Sequence, residues 1–162
     1  MELPIRLKTA GEMYQYSCDN GFGTGFGRNW GLRNFLILEK KLEEGEAAFL
    51  TFVGLHRFHS MSAHQRNFAY AITDRRILMG QSRSFWRTRF ESVPLNGVLN
   101  LSFDSDNTIA VMKMMLEKDA VTVGMSRECA DALSRKLTEL LPLIQELAHG
   151  LEGSGDGEQE EQ

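Results

Sequence analysis

The chain has 162 residues, 42% hydrophobic and 25% charged, with 15 Gly and only 3 Pro. That suits one soluble domain with a genuine core and excludes a collagen, a wholly disordered chain and a disulfide-stapled miniprotein. The uncharged apolar run Ala47 to Leu55 is far short of a membrane span, and the N-terminus, with Glu2 and no long apolar run, does not read as a signal peptide. Cys18 and Cys129 lie far apart with no partner at metal-ligand spacing, so a reducing, cytoplasmic setting is expected.

The formal charge of −4 is unevenly distributed. Residues 152–162 hold Glu152, Asp156, Glu158, Glu160 and Glu161 and no base; without them 18 basic residues face 17 acidic ones. This Gly/Ser/Glu/Gln segment cannot bury apolar surface and is expected to be disordered. Between Arg57 and Arg89 the sign reverses: Arg57, Arg66, Arg75, Arg76, Arg83, Arg87 and Arg89 face only Asp74. Such a patch is either ordinary solvated surface or a face for anions and acidic partners.

In chain order, Thr9 with Glu12 forms a capping-box pattern that opens a helix from Ala10 to about Asn20, with Met13, Tyr14 and Ser17/Cys18 inward and Gly21 as its stop. The Gly-rich run Gly21 to Gly27 follows. Asn29 then caps a second helix carrying Trp30, Phe35, Leu38 and Leu42, whose charged end stops at Gly45. From Ala47 the period becomes that of strands. Seven are expected: Ala47–His56, Asn67–Thr73, Ile77–Met79, Phe85–Leu95, Val98–Phe103, Ile109–Leu116 and Val121–Met125. Phe68, Tyr70 and Ile72 share one face of the second. In the fourth, Trp86, Thr88 and Phe90 are expected inside, with Arg87, Arg89 and Glu91 on the opposite face toward solvent. Ala130, Leu133, Leu137, Leu140, Leu141, Ile144 and Leu147 then mark an amphipathic helix, in which Pro142 predicts a kink or an end near Leu141. Antiparallel strands closed by one such helix describe an open barrel with a plug. Its expected core includes Phe68, Tyr70, Ile72, Trp86, Phe90, Leu133, Leu137 and Leu140.

The segment Asn67-Phe68-Ala69-Tyr70-Ala71-Ile72-Thr73-Asp74-Arg75-Arg76-Ile77-Leu78-Met79 resembles the second hairpin of bacterial pleckstrin-homology (PH) domains, and Glu91-Ser92-Val93-Pro94-Leu95-Asn96-Gly97-Val98 resembles the strand that follows it. The YokE-like PH families of bacteria and their prophages fit best, including in the front segments Leu7–Tyr14 and Gly25–Gly31. The resemblance implies a mainly β, PH-like barrel of about seven antiparallel strands with a C-terminal amphipathic helix, preceded by a helix-loop-helix. The domain plan is a helical extension over 1–45, a PH-like domain over 46–150 and a disordered acidic tail over 151–162. PH folds bind lipids, peptides or copies of themselves.

Catalytic chemistry finds little support. The Gly21–Gly27 loop follows a helix and lacks the Lys of a phosphate loop; it reads as a hinge pinned by Phe22 and Phe26, with Arg28 beside the next helix start as a weak anion site. His56 and His59 point to opposite faces of a strand and His64 lies in a loop, so all three are expected on the surface or in loops rather than on a metal. Cys18 and Cys129 sit on apolar helix faces as small hydrophobes. There is no nucleophile elbow, no zinc-binding helix and no paired carboxylate on an apolar face. No catalytic residue, metal or cofactor is expected. The expected function is a non-enzymatic binding module for an unidentified protein partner or for itself, able to oligomerise through exposed strand edges. The alternative is binding to an anionic membrane surface; nucleic acid is disfavoured by the acidic tail and near-neutral body. Lipid-binding PH domains use the first hairpin loop, here His56 to Arg66, which lacks their usual second basic residue after Arg66. The candidate surface is Arg57, Arg66, Arg83, Arg87 and Arg89, with Glu91 able to hold some of them.

Overall fold

The computed structural model of the chain describes residues 2–23, 27–84, 87–104 and 108–160. Thr9 caps α1 (Ala10–Asp19) as its sequence predicts: Glu12 N–H donates to Thr9 Oγ1 at 3.1 Å and Thr9 N–H donates back to Glu12 Oε1 at 3.0 Å. Ala10, Met13 and Ser17 form its buried face. α2 (Arg28–Lys41) differs from expectation at both ends. Its N-cap is Gly27, at φ 131°, so Asn29 lies within the first turn and caps nothing. It ends four residues before Gly45 because the following acidic stretch is captured by the β-sheet, as described below.

Seven antiparallel strands follow: β1 (Ala48–His56), β2 (Asn67–Thr73), β3 (Arg76–Ser84), β4 (Arg87–Pro94), β5 (Val98–Asp104), β6 (Ile109–Leu116) and β7 (Ala120–Ser126). One turn of 3₁₀-helix, Leu95–Gly97, joins β4 to β5. The sheet order is β4-β3-β2-β1-β7-β6-β5, so β4 and β5 are its two edges and the barrel is not closed between them. β1 meets β7 over only Leu55↔Gly124 and His56↔Val123. The approach there is close enough that a Cβ on Gly54 would lie 2.3 Å from Val123 Cγ1. The expected succession of strands and terminal helix is therefore present.

β1 and β2 are buried on both faces. The inner face gathers Phe49, Phe52, Phe68, Tyr70, Ile72, Ile77, Met79, Met112, Met114 and Val123 with Leu133, Leu137 and Leu140 of the C-terminal helix. Phe52 and Tyr70 stack there, ring centroids 4.7 Å apart. The outer face carries small residues, Ala48, Ala69 and Ala71, with Val53 and Leu78, and receives Met13 of α1 and Phe35 and Leu38 of α2. Six of the eight expected core residues line the inner core. Phe90 does not: it packs on the outer face, where Lys41 Nζ lies 5.3 Å from its ring centre. Trp86 falls outside the described residues. β4 is thus turned over relative to expectation, with Glu91 and Val93 on the inner side, because the α1–α2 pair makes the outer side apolar as well.

α3 (Arg127–Glu160) neither ends at Leu141 nor stops before the acidic segment. It passes through Pro142, which is exposed, while Leu143, Ile144, Leu147 and Leu151 beyond it pack against the inner core. That packing offsets the hydrogen bond proline removes. Once docked, a helix extends at little further cost per residue, which carries it into the segment whose composition favours disorder. No helix among the described residues is long and apolar enough to cross a membrane.

Two substitutions test this arrangement. Leu137→Ala, at a site 6% exposed, should cost about 2–5 kcal/mol in chemical unfolding; a change within error would mean that α3 is not seated there. At Gly80 an added Cβ would lie 2.8 Å from Leu38 Cδ2 and 3.3 Å from Ile37 Cβ. Gly80→Ala should therefore cost about 1–3 kcal/mol by pushing α2 off the sheet, and an unchanged stability would show that α2 yields freely.

Candidate functional site

The positive segment between Arg57 and Arg89 divides into arginines that are spent and arginines that are not. Arg75 and Arg76 belong to the tight β2–β3 turn. Arg76 grips buried Glu46 bidentately, Nε to Oε2 at 3.1 Å and Nη2 to Oε1 at 3.0 Å, while Thr73 Oγ1 donates to Glu46 Oε2 at 2.7 Å. Arg75 Nη1 donates to Glu43 at 2.8 Å and Nη2 to the Glu44 carbonyl at 3.0 Å. Burial pushes the Glu46 carboxyl up, but the bonds from Arg76, the Glu43 amide and Thr73 outweigh it and hold Glu46 below its ordinary range. The Thr-Asp-Arg-Arg hairpin is thus a clamp on the α2–β1 connection, which explains the early end of α2.

Arg57 is also spent. Its Nη2 donates to Glu91 Oε1 at 2.8 Å and its Nη1 to Asp119 Oδ2 at 3.3 Å. Glu91, expected beside Arg87 and Arg89, instead binds Arg57 and His56 Nε2. His56 is fully buried at the inner end of β1, stacked on Phe68, rather than on the surface. Because a carboxylate can only accept, Nε2 carries the proton toward Glu91, and in the neutral ring Nδ1 accepts from Tyr70 O–H at 2.8 Å. Both ring nitrogens are occupied and Tyr70 is buried, so the set acts as a strut linking β1, β2 and β4. Sequence spacing missed it because the three residues come from three strands.

Arg66, Arg83, Arg87 and Arg89 are exposed, and among the described residues none has a carboxylate partner. They converge at one end of β2–β4. Desolvation, followed by the charges of Arg89, Arg66 and Arg87, pulls the Arg83 guanidinium below its ordinary range. Arg83 Nε is held by Gln81 Oε1 at 2.8 Å and Arg89 Nη1 by Gln65 Oε1 at 3.0 Å, so neutral amides orient two of the four without neutralising them. Arg66 has φ 69°, a left-handed backbone rare for a side-chain-bearing residue.

Beside them a groove of about 430 Å³ runs between α2 and β2–β3, with Trp30, Val53, Asn67, Ser82, Arg66 and Arg83 in its lining. Asn34 fixes its walls: Nδ2 donates to the Asn67 carbonyl at 3.3 Å, and Oδ1 accepts from Ser82 N–H at 2.9 Å. Trp30 is 47% exposed at the groove, with Arg33 over its ring at 5.3 Å. The first half of the Gly-rich loop packs on Val53, one of the lining residues. Phe22 is buried, as expected of a pin, its carbonyl accepts from Val53 N–H at 3.0 Å, and Gly23 (φ 101°) would place a Cβ 2.9 Å from Val53 O. Phe26 lies outside the described residues. Cys129 is buried, which pushes its thiol up to about 11, and Cys18 is half-buried. Among the described residues no three His, Cys, Asp or Glu side chains are grouped to hold a metal ion.

The His56 strut has a pH signature. Burial is the larger influence and holds the imidazole below 6.5 against the opposing pull of Glu91. Burial raises Glu91, yet its bonds from Arg57 and His56 prevail and hold it below 4.5. The unfolded chain therefore takes up the histidine proton first as pH falls. Stability should be full above pH 6.5, decline just below it, and decline again as Glu91 is protonated below pH 4.5. In urea unfolding across this range, His56→Gln, which can still donate to Glu91 and accept from Tyr70, should abolish the first decline and keep the second. An unaltered slope below pH 6.5 would place its origin elsewhere.

A sequence profile of the family described as bacterial PH domain matches residues 42–139, more than half of the chain, from the end of α2 through all seven strands into α3. No curated protein matches significantly in sequence. Among solved structures, a DUF1696-family protein with a pleckstrin-homology domain from Shewanella loihica PV-4 is similar over 69% of this chain and 87% of its own, at 12% identity and a TM-score of 0.44. With a clamped Thr-Asp-Arg-Arg hairpin, seven antiparallel strands and a plugging helix inside and around the matched span, the chain belongs to the bacterial PH domain family.

Proposed function

We propose that the chain is a non-enzymatic binding module that recognises an acidic protein surface through Arg66, Arg83, Arg87 and Arg89. The observation that carries this is the division of the positive segment: Arg57, Arg75 and Arg76 are paired with carboxylates, whereas among the described residues these four have no carboxylate partner, and Arg66 and Arg83 line an open groove. Planar guanidiniums held by neutral amides keep their full charge for a carboxylate ligand. Anionic membrane is the second reading. It is disfavoured because the tip of the β1–β2 loop, residues 58–65, contains no Lys or Arg, so the charge lies beside the groove rather than on a protruding loop. Oligomerisation through the β4 and β5 edges is compatible with the same role, since β5 exposes Leu99 and neither edge is covered by another strand. A YokE-like relationship and a cytoplasmic setting accompany this proposal, on the hairpin motif and the cysteine usage.

Arg87→Glu with Arg89→Glu should reduce capture on immobilised polyglutamate about tenfold or more, with a change of about 0.5 kcal/mol or less in unfolding free energy. Equal capture by the variant would return the patch to ordinary surface. Co-sedimentation of the unmodified chain with phosphatidylglycerol vesicles at low salt, without polyglutamate capture, would favour the membrane instead.

A further inference from the structure

Building on that reading, we propose that the occupant of the groove is the acidic C-terminal segment, residues 152–162, of a second copy of this chain. The charges are complementary. The segment carries five carboxylate side chains and no base, whereas the remainder of the chain is balanced to within one charge. Arg66 and Arg83 in the groove lining, like Arg87 and Arg89 on the neighbouring strand, have no carboxylate partner among the described residues. The groove volume of about 430 Å³ accommodates a few residues of an acidic protein's peptide segment.

The fold makes the docking intermolecular. α3 packs on the inner face of the sheet, and its last residue against that core is Leu151. Its helix continues to Glu160, about 13 Å further at 1.5 Å per residue. The groove lies on the opposite side of the sheet, between the outer strand face and α2. The acidic segment therefore follows a helix seated on the side of the sheet opposite the groove and its lining arginines, Arg66 and Arg83. A tail-to-groove contact uses two different surfaces, so each copy can both give and receive.

Complementary full-length variants provide the test. One neutralises the segment (Glu152→Gln, Asp156→Asn, Glu158→Gln, Glu160→Gln, Glu161→Gln); the other reverses the groove (Arg66→Glu, Arg83→Glu). By light scattering at about 0.01 M ionic strength, the unmodified chain should have at least twice the monomer mass and revert to monomer near 1 M salt. Each variant alone should be monomeric, and their mixture should form a heterodimer, because one still offers arginines and the other a tail. A synthetic peptide of residues 152–162 should shift the tryptophan emission of the tail-neutralised chain, and Trp30→Phe should remove that shift. A monomeric unmodified chain, association that survives tail neutralisation, or a mixture that stays monomeric would overturn the proposal. If the tail-neutralised chain captures polyglutamate yet ignores its own tail peptide, the acidic-ligand function stands and this occupant is wrong. Loss of polyglutamate capture by the unmodified chain would remove both.

Discussion

Burial of β1 and β2 on both faces is the constraint from which the remaining architecture follows. A sheet whose two central strands are apolar on both sides needs a cover on each. α3 provides the inner cover with a row of leucines, and the α1–α2 pair provides the outer one. The two interfaces differ in side-chain size. Inner positions alternate large residues such as Phe52, Phe68 and Tyr70, whereas outer positions are Ala48, Ala69, Ala71 and Gly80, which let α2 approach the backbone closely. This close seating brings Trp30 and Asn34 alongside β3 and creates the groove.

Electrostatics divide along the same architecture. Where a carboxylate must be buried to hold the α2–β1 connection, it receives a bidentate arginine and a threonine hydroxyl, since removing either partner would strand a buried charge. Where a histidine is buried at the end of β1, Glu91 and Tyr70 occupy both of its nitrogens and Arg57 balances the carboxylate. These structural demands consume three arginines of the positive segment. The others have no carboxylate partner among the described residues; neutral amides orient two of them, and their like charges act on one another.

The groove is a joint product of the family fold and its extension. The profile match begins at residue 42, so the strands belong to the shared PH sheet while the α2 wall precedes it. Separating the two would leave the arginines on an open sheet edge and remove the concave wall that limits what can bind. Loop and helix insertions around a constant sheet are a common way for one fold to acquire different ligands.

Strand count, the capping box at Thr9, the amphipathic C-terminal helix and the hairpin motif were legible in the sequence, because each rests on local periodicity or local hydrogen bonding. Exposure of Arg87 and Arg89 was legible too, though for the wrong reason. Alternation shows that Phe90 and Arg89 point to opposite sides, but it does not say which side is core when both sides are covered. That choice belonged to α2, whose docking turned Phe90 outward and Glu91 inward toward His56. The burial of His56, the end of α2 at Lys41 and the sorting of seven arginines into paired and unpaired were likewise decided by residues distant in the chain. Ion pairs such as Arg57 with Asp119 and Arg76 with Glu46 form only when strand order and register have been set, and no spacing along one segment encodes them.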